Sequence, residues 1–240
     1  MIKILFVDVD GTLTESRDTY RLSVEAVLAL RRLVERDVMV SIVSSNAVPV
    51  VIGLSRYLGL NGPVVAETGA VIYDPAIGIV FTSDAQTREA VSAVLESFGD
   101  CLENSWQNPF RLVEFALKPR EECKTRIRSL LPSIKELVES RFPGLTADYS
   151  GYALHIKPKG VDKGTGVEWV LRKYGLKREE TAAIGDSYMD KDMMRHVYWS
   201  AAVGNADEEL KAACRIVLNS PSGLGVAEFV DYLFKEGLVP

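Results

Sequence analysis

The sequence IKILFV at residues 2–7 is followed at once by DVDGT at residues 8–12. The mainly apolar run is rich in β-forming residues and predicts a buried strand. Asp8 and Asp10 follow it two residues apart and therefore project the same way. Like charges so close are unfavourable unless a cation or a proton lies between them. An ordinary capped turn would need only one aspartate, so we predict a functional site here that holds a hard cation such as Mg²⁺.

Short apolar runs alternate with helical patterns after this stretch. Further buried strands are predicted at residues 38–43 and 64–66, and helices at residues 23–35 and 49–58. The same alternation resumes at residue 163. Strands that alternate with helices in this way are typical of a parallel α/β sheet.

The middle of the chain has a different pattern. Adjacent strands and helices, including a strand at residues 110–117 and a helix at residues 120–141, predict an α+β domain inserted into the sheet. We therefore expect an α/β fold with a Rossmann-like parallel-sheet core formed by residues 1–81 and 158–240. Residues 82–157 are the expected insertion.

Three more loops follow predicted strands or begin helices in the core. Ser44 lies between a strand and a helix, where a hydroxyl and backbone N–H groups suit a phosphate. Lys163 begins a helix, where it opposes the helix dipole but could neutralise a phosphate. Asp186 ends a strand, and Asp190 lies one helical turn further, so both can face one ion. Taken singly, each also fits an ordinary cap or a solvated side chain.

The four loops together are far more specific than any one of them. In their order and chemistry they resemble the motifs of the haloacid dehalogenase superfamily of phosphotransferases. DVDGT at residues 8–12 matches its DxDGT motif, while Ser44, Lys163 and the segment 185–190 match the second, third and fourth motifs. The insertion resembles a small type-IIB cap. Within this branch the chain is most similar to archaeal-type phosphoglycolate phosphatases.

The resemblance implies an Mg²⁺-dependent phosphomonoester hydrolase that acts through an aspartyl-phosphate. Asp8 would be the nucleophile and Asp10 the general acid and base. Ser44 and Lys163 would hold the phosphoryl oxygens. The implied ligands of Mg²⁺ are Asp8, the backbone carbonyl of Asp10, Asp186 and Asp190.

The substrate and two departures from the family pattern are open at this stage. A substrate such as 2-phosphoglycolate carries a second anion, for which Arg111, Lys118 and His155 are candidates, although each also fits a structural role. The family usually has Asn where this chain has Met189 and Thr68. Alternatives are a sugar-phosphate or sucrose-phosphate-like phosphatase, a phosphomutase, and a non-catalytic receiver-like module phosphorylated on aspartate.

The composition of the chain limits the classes of partner that we expect the protein to bind. The chain has 240 residues, 47% hydrophobic and 25% charged, with 28 basic and 33 acidic side chains and a net charge of −5. No basic excess indicates nucleic acid or an anionic membrane surface. No apolar run approaches the ~20 residues that span a bilayer, and the early aspartates argue against a signal peptide. We expect a cytoplasmic monomer or homodimer that acts on a small phosphorylated metabolite, without nucleic-acid or membrane partners.

The cysteine content is low. Cys101, Cys123 and Cys214 are scattered, and no CxxC pair occurs. An odd and dispersed set predicts neither a disulfide framework nor a zinc site. It fits a reducing cytosol.

Overall fold

The computed structural model describes all 240 residues and contains twelve strands and eight helices. None of the helices is both long and apolar enough to cross a lipid bilayer. The strands are β1 (Ile4–Val7), β2 (Met39–Ile42), β3 (Val64–Ala66), β4 (Val71–Asp74), β5 (Gly78–Phe81), β6 (Leu102–Asn104), β7 (Phe115–Pro119), β8 (Leu145–Tyr149), β9 (Leu154–Pro158), β10 (Thr181–Gly185), β11 (Trp199–Ala202) and β12 (Ile216–Val217). The helices are α1 (Val24–Val34), α2 (Val48–Leu58), α3 (Arg88–Phe98), α4 (Ile127–Arg141), α5 (Lys163–Tyr174), α6 (Lys191–His196), α7 (Glu208–Lys211) and α8 (Ser222–Lys235).

A parallel sheet of five strands, in the order β12-β11-β10-β1-β2, forms the centre of the molecule. The pairing is in register, so that Phe6 of β1 lies between Ser41 of β2 and Ala183 of β10. Every residue of β1 is buried, as its apolar sequence predicts. Val43 bridges Val65 in parallel, which places β3 beside the end of β2. The carboxyl ends of β1, β2 and β10 therefore meet at one edge.

The start of α5 shows how local sequence positions a charged side chain at that edge. The carboxylate of Asp162 accepts a bond of 2.9 Å from the backbone N–H of Thr165, whose hydroxyl accepts one of 3.2 Å from the N–H of Asp162. This reciprocal capping box fixes the first residue of the helix. Lys163 is that residue, and it points into the protein, where it is 4% exposed.

An inserted module, which comprises α3, α4 and the antiparallel sheet β6-β7-β9-β8, extends from Arg88 to Pro158. Its sixteen buried apolar residues form a core of their own, separate from the 45-residue core around the parallel sheet. This two-core architecture is the fold class predicted from the sequence. The exact limits of the insertion, residues 82–157, stay a prediction.

The connection into the module differs from the sequence prediction. Residues 110–117 do not form one strand, since Asn108–Phe110 is a 3-10 turn and β7 begins only at Phe115. The backbone N–H groups of Leu112, Val113 and Glu114 instead donate to the buried carboxylate of Glu67, at 2.8–3.1 Å. The Glu67 side chain of the core thus accepts the hydrogen bonds that backbone carbonyl groups of a neighbouring strand would otherwise accept.

One disulfide is present, although the dispersed cysteines predict no disulfide framework. Cys101 and Cys123 form a disulfide within the module, between the start of β6 and the turn after β7, while Cys214 is free and half-buried. The two partners are 22 residues apart in sequence, and antiparallel pairing brings their Cα atoms to 5.3 Å. An odd count does not exclude one pair, and only the tertiary fold reveals which two cysteines meet.

The disulfide should stabilise the module by restricting its unfolded state. For a loop of this length the chain-entropy contribution is about 3 kcal/mol. We expect the double variant Cys101→Ala/Cys123→Ala to lose roughly this much free energy of unfolding, measured by thermal or denaturant unfolding. The control is Cys214→Ala, which should keep the sensitivity of the wild type to reductant. A wild-type Tm that reductant leaves unchanged would contradict the prediction.

Candidate active site

A buried lysine joins two of the predicted aspartates at the carboxyl edge of the sheet. The Nζ atom of Lys163 lies 2.6 Å from Oδ1 of Asp8 and 2.6 Å from Oδ1 of Asp190. Both carboxylates are buried, so their interaction with the ammonium group is little screened by water. Asp8 follows β1 and Lys163 begins α5, so residues 155 apart in sequence meet at one point.

Asp186 completes an acidic cluster beside this pair. The hydroxyl of Thr12 lies 3.1 Å from Oδ2 of Asp8 and 3.2 Å from Oδ1 of Asp186, and so bridges the two. Arg17 contacts Asp186 from the other side, with Nε 2.6 Å from Oδ2. A further bond of 2.9 Å ties Arg17 to Asp207. The cluster therefore combines three buried carboxylates with one fully buried and one half-buried cation.

Two glycines make room for the carboxylates. A Cβ atom on Gly11, which has a φ of +85°, would lie 2.4 Å from Oδ2 of Asp186. A Cβ on Gly185 would lie 2.6 Å from the carboxyl group of Asp190. The close approach and the left-handed backbone at Gly11 both require glycine. This explains the glycine in DVDGT and the one that precedes Asp186.

Burial and mutual repulsion dominate the electrostatics of the cluster. Burial raises the pKa of Asp8 well above its ordinary value, although Lys163 opposes the change. Burial, with repulsion from Asp190, raises the pKa of Asp186 to about 6 despite the nearby Arg17. Burial alone would lower the pKa of Lys163, but Asp190 and Asp8 more than offset it, and the pKa is raised. Lys163 therefore stays positively charged. The positive charges nearby do not fully offset the cost of burying the ionised carboxylates.

The donor set fits a hard divalent cation. One carboxylate oxygen from each of Asp8, Asp186 and Asp190 lies within 4.8 Å of the others. Carboxylate oxygens are the ligands that such ions prefer. Three carboxylates meet only two cations here, Lys163 and Arg17, and a bound metal ion would supply further positive charge. The residues present therefore fit a divalent metal.

Asp10 and Ser44 lie together, on the cavity side of the cluster. The side-chain N–H₂ group of Asn46 donates to Oδ2 of Asp10 at 2.7 Å and to the hydroxyl oxygen of Ser44 at 3.0 Å. The hydroxyl of Ser44 also accepts from the backbone N–H of Asn46 at 3.1 Å. Because it accepts both bonds, its own O–H remains available to a ligand oxygen. Asp10 lies outside the group of three clustered carboxylates.

The inserted module lies over this edge, and a cavity of about 1000 Å³ that is partly open to solvent separates the two. The module contributes Arg111, Lys118 and His155 to the cavity wall. Arg111 is 3% exposed and donates to the backbone oxygen of Ser45 at 2.9 Å. His155 bonds to Glu114, which also pairs with Arg111 at 3.3 Å. Arg111 is therefore a buried cation one residue from Ser44, and not a solvated strand residue.

The structure brings all six predicted site residues to one edge of the sheet, and their individual roles stay predictions. Of these residues, only Asp190 lies behind the cavity wall and not in it. Sequence reasoning missed Arg17 and Asn46, which hold Asp186 and Asp10. Asn46 lies two residues after Ser44, in a loop that the sequence predicts to bind phosphate, whereas nothing in the sequence marks Arg17.

The departure at Met189 leaves the last aspartate well oriented. Oδ2 of Asp190 accepts from the backbone N–H groups of Asp186 at 3.0 Å and Ser187 at 2.9 Å. With Lys163 on the other oxygen, the carboxylate does not depend on the side chain at position 189. The other departure, Thr68, has a φ of +54°, a conformation that is strained for a β-branched residue.

The raised pKa of Asp186 predicts how stability depends on pH. Unfolded aspartate titrates near pH 4, whereas the pKa of folded Asp186 is about 6. Between these values the native state holds a proton that the unfolded chain has released, so the contribution to stability declines as pH rises through this window. With chelator present, Asp186→Asn should gain stability relative to the wild type from pH 4 to 7, measured by denaturant unfolding.

The exposed Asp231 offers a matched control, since Asp231→Asn also removes one carboxylate. The difference in unfolding free energy between this control and the wild type should stay nearly constant with pH. A constant difference for Asp186→Asn as well would contradict the prediction.

Comparison with known proteins agrees with the geometry. The family model for haloacid dehalogenase-like hydrolases matches residues 5–106 and 107–230. The phosphoglycolate phosphatase of Staphylothermus marinus is 43% identical over 236 residues, covering 98% of this chain and 99% of the relative. That of Metallosphaera sedula is 44% identical, covering 98% and 100%. The crystal structure of Thermoplasma acidophilum 0175 is 27% identical with a TM-score of 0.84, covering 98% and 99%. The chain therefore belongs to the haloacid dehalogenase-like hydrolases.

Proposed function

We propose that this protein is an Mg²⁺-dependent phosphatase that hydrolyses 2-phosphoglycolate to glycolate and phosphate. The observation that carries the proposal is the buried Asp8 beside Lys163 on the wall of the cavity between core and module, with Asp10 held separately two residues away. Two carboxylates in such different surroundings suit two different chemical tasks. The curated relatives that are 43% and 44% identical are named phosphoglycolate phosphatases, which supports the choice of substrate.

The first step uses Asp8 as the nucleophile. A carboxylate oxygen of Asp8 attacks phosphorus in line, and the bond from phosphorus to the glycolate oxygen breaks. Asp10 gives its proton to that departing oxygen, so glycolate leaves as the alcohol. In the second step Asp10 takes a proton from water, whose oxygen bonds to phosphorus while the bond to Asp8 breaks. Phosphate leaves and both side chains return to their starting states.

Fixed donors stabilise the charge that develops on the phosphoryl group. Lys163 already contacts Asp8 and is held rigidly by Asp190, so it needs no rearrangement to reach a phosphoryl oxygen on Asp8. The free O–H of Ser44 supplies a second donor. The two donors come from the first residue of α5 and from the loop after β2, and both side chains are buried.

The three clustered carboxylates would hold Mg²⁺, with the backbone carbonyl of Asp10 as the fourth predicted ligand. The ion would supply positive charge that lets an anionic nucleophile approach an anionic phosphate. Asp186 and Asp190 are oriented for this by backbone and side-chain bonds that are present without the ion. Arg17 binds Oδ2 of Asp186, so Oδ1, which Thr12 also contacts, is the oxygen left for the ion.

The inserted module contains a residue that is a candidate for recognising the substrate. Arg111 is a buried cation in the cavity wall, and its Nε atom has no hydrogen-bond partner in the protein. A guanidinium group binds carboxylates well. We assign Arg111 to the carboxylate of 2-phosphoglycolate.

The expected cytoplasmic location and the monomer or homodimer state remain predictions. The disulfide removes the support that the cysteine content gave to a reducing compartment.

The primary test compares phosphate release by the wild type and by Asp8→Asn in the presence of Mg²⁺. The substrates are 2-phosphoglycolate and a panel of sugar and nucleotide monophosphates. Loss of the nucleophile should lower kcat by at least ~10³-fold, and chelator should stop the wild type. Asp18→Asn is the control, since Asp18 lines the same cavity but is exposed. Preference for a sugar phosphate would refute the substrate, and phosphate release only with a bisphosphate activator would indicate a mutase. A lasting aspartyl-phosphate without turnover would indicate a receiver-like module.

A second test addresses substrate recognition. Arg111→Met should raise KM for 2-phosphoglycolate about 10- to 100-fold, the effect of losing one charged hydrogen bond. The same variant should change KM for 2-hydroxyethyl phosphate, which lacks the carboxylate, by less than about 3-fold. Lys118→Met is the matched control, because Lys118 also lines the cavity. Equal changes for the two substrates in Arg111→Met would contradict the assignment.

A further inference from the structure

One side chain of the inserted module contacts the core next to the proposed acid. Gln107, which precedes the turn between β6 and β7, is 8% exposed. Its Oε1 accepts from the backbone N–H of Ala47 at 2.7 Å, and its Nε2 donates to Oδ1 of Asn46 at 2.6 Å. Asn46 in turn donates to Asp10 at 2.7 Å and to Ser44 at 3.0 Å. A continuous chain of hydrogen bonds therefore links the module to Asp10.

The direction of this chain is fixed at its first link. A backbone N–H can only donate, so Ala47 requires the oxygen of the Gln107 amide. The nitrogen of that amide then faces Asn46, which must present its oxygen. Consequently the N–H₂ group of Asn46 has to face Asp10 and Ser44. An amide that could otherwise flip is set in the one orientation that donates to both.

Gln107 is itself held against the core by its neighbours in sequence. Arg111 donates to the backbone oxygen of Ser45, and residues 112–114 donate to Glu67. The segment from Gln107 to Glu114 is thus attached to the core at three places. Gln107 can make its two bonds only while the module lies over the site.

We propose that Gln107 is a positioning residue that, through Asn46, orients Asp10 for proton transfer when the module covers the site. This inference rests on the proposed role of Asp10 as the acid. Asp10 Oδ2 accepts from Asn46, so the proton given to the leaving group must sit on the other oxygen, Oδ1. A substrate that keeps the module over the site therefore also orients Asp10, the acid that protonates its leaving group. When the module does not cover the site, Asn46 has no bond to Gln107 and is free to turn.

The choice of leaving group separates positioning of the acid from a general structural effect. An alkoxide such as that of glycolate needs a proton to depart, whereas 4-nitrophenolate is a good leaving group without one. Weaker acid catalysis should therefore slow the hydrolysis of 2-phosphoglycolate much more than that of 4-nitrophenyl phosphate. A change that only loosens the module should slow both substrates alike or alter KM.

The decisive variant is Gln107→Glu, which keeps shape but cannot donate to Asn46. Asn46 would then turn its N–H₂ group to the new carboxylate and its oxygen to Asp10. Asn108→Asp is the matched control, because Asn108 is 7% exposed and bonds only within the module, to Asn104 at 2.8 Å and to the N–H of Ala116 at 3.0 Å. Gln107→Ala serves as a second variant without the new charge.

We expect Gln107→Glu and Gln107→Ala to lower kcat for 2-phosphoglycolate at least about 10-fold, part of the ~10²–10⁴ that acid catalysis contributes. For 4-nitrophenyl phosphate the loss should stay under about 3-fold, and Asn108→Asp should not discriminate between the substrates. Equal losses on both substrates, or no loss, would overturn the proposal. If the wild type prefers another alkyl phosphate, that substrate replaces 2-phosphoglycolate in the comparison.

Amide hydrogen exchange gives a readout without turnover. The N–H of Ala47 should be protected in the wild type and in Asn108→Asp, and should exchange faster in Gln107→Ala. An unprotected Ala47 amide in the wild type would overturn the relay. A protected amide in a protein that releases no phosphate from any monoester would support the hydrogen-bond chain and refute the proposed function instead.

Discussion

The ion pairs of Lys163 with Asp8 and Asp190 are the interaction on which the site depends. Carboxylates from the ends of β1 and β10 are forced together by the parallel register of the sheet, and burial removes most of the water that would screen them. Without a buried cation the edge would carry only repulsion. Removal of one partner from such a buried pair is strongly destabilising, by about 3–5 kcal/mol in other proteins. The lysine is therefore structural as well as a candidate phosphate ligand.

The same interaction explains why α5 begins with a lysine although a cation is unfavourable at a helix N-terminus. The capping box of Asp162 and Thr165 holds the helix start without help from the dipole. Two carboxylates at 2.6 Å more than offset the dipole. Local capping and tertiary charge thus act together to fix one ammonium group at the centre of the site.

Features set by chain topology could be predicted from sequence. Asp8, Ser44, Lys163 and Asp186 each stand where a strand ends or a helix begins, and a parallel sheet brings such positions to one edge. Features set by contacts across the molecule could not. Arg17 reaches Asp186 from a loop with no regular pattern.

The connection into the module shows the same limit. Residues 110–114 look like part of a strand in the sequence because they are partly apolar and run directly into the apolar residues 115–117. What decides their structure is the carboxylate of Glu67, 45 residues earlier, which takes their N–H groups. The disulfide is a similar case, since count and spacing say nothing about which sulfurs the fold brings together. Long-range pairing of single side chains leaves no periodic signal in one sequence.

The separate interiors of the two parts bear on how a substrate can enter. Apart from Val113, which packs into the larger core, the contacts described between module and core are polar. Polar contacts can be exchanged for bonds to water at little net loss, whereas parting two apolar faces would expose surface at about 25 cal/mol per Å². Admission of a small anion to the cavity would thus depend on a few hydrogen bonds between module and core. Breaking these bonds would leave both hydrophobic interiors intact.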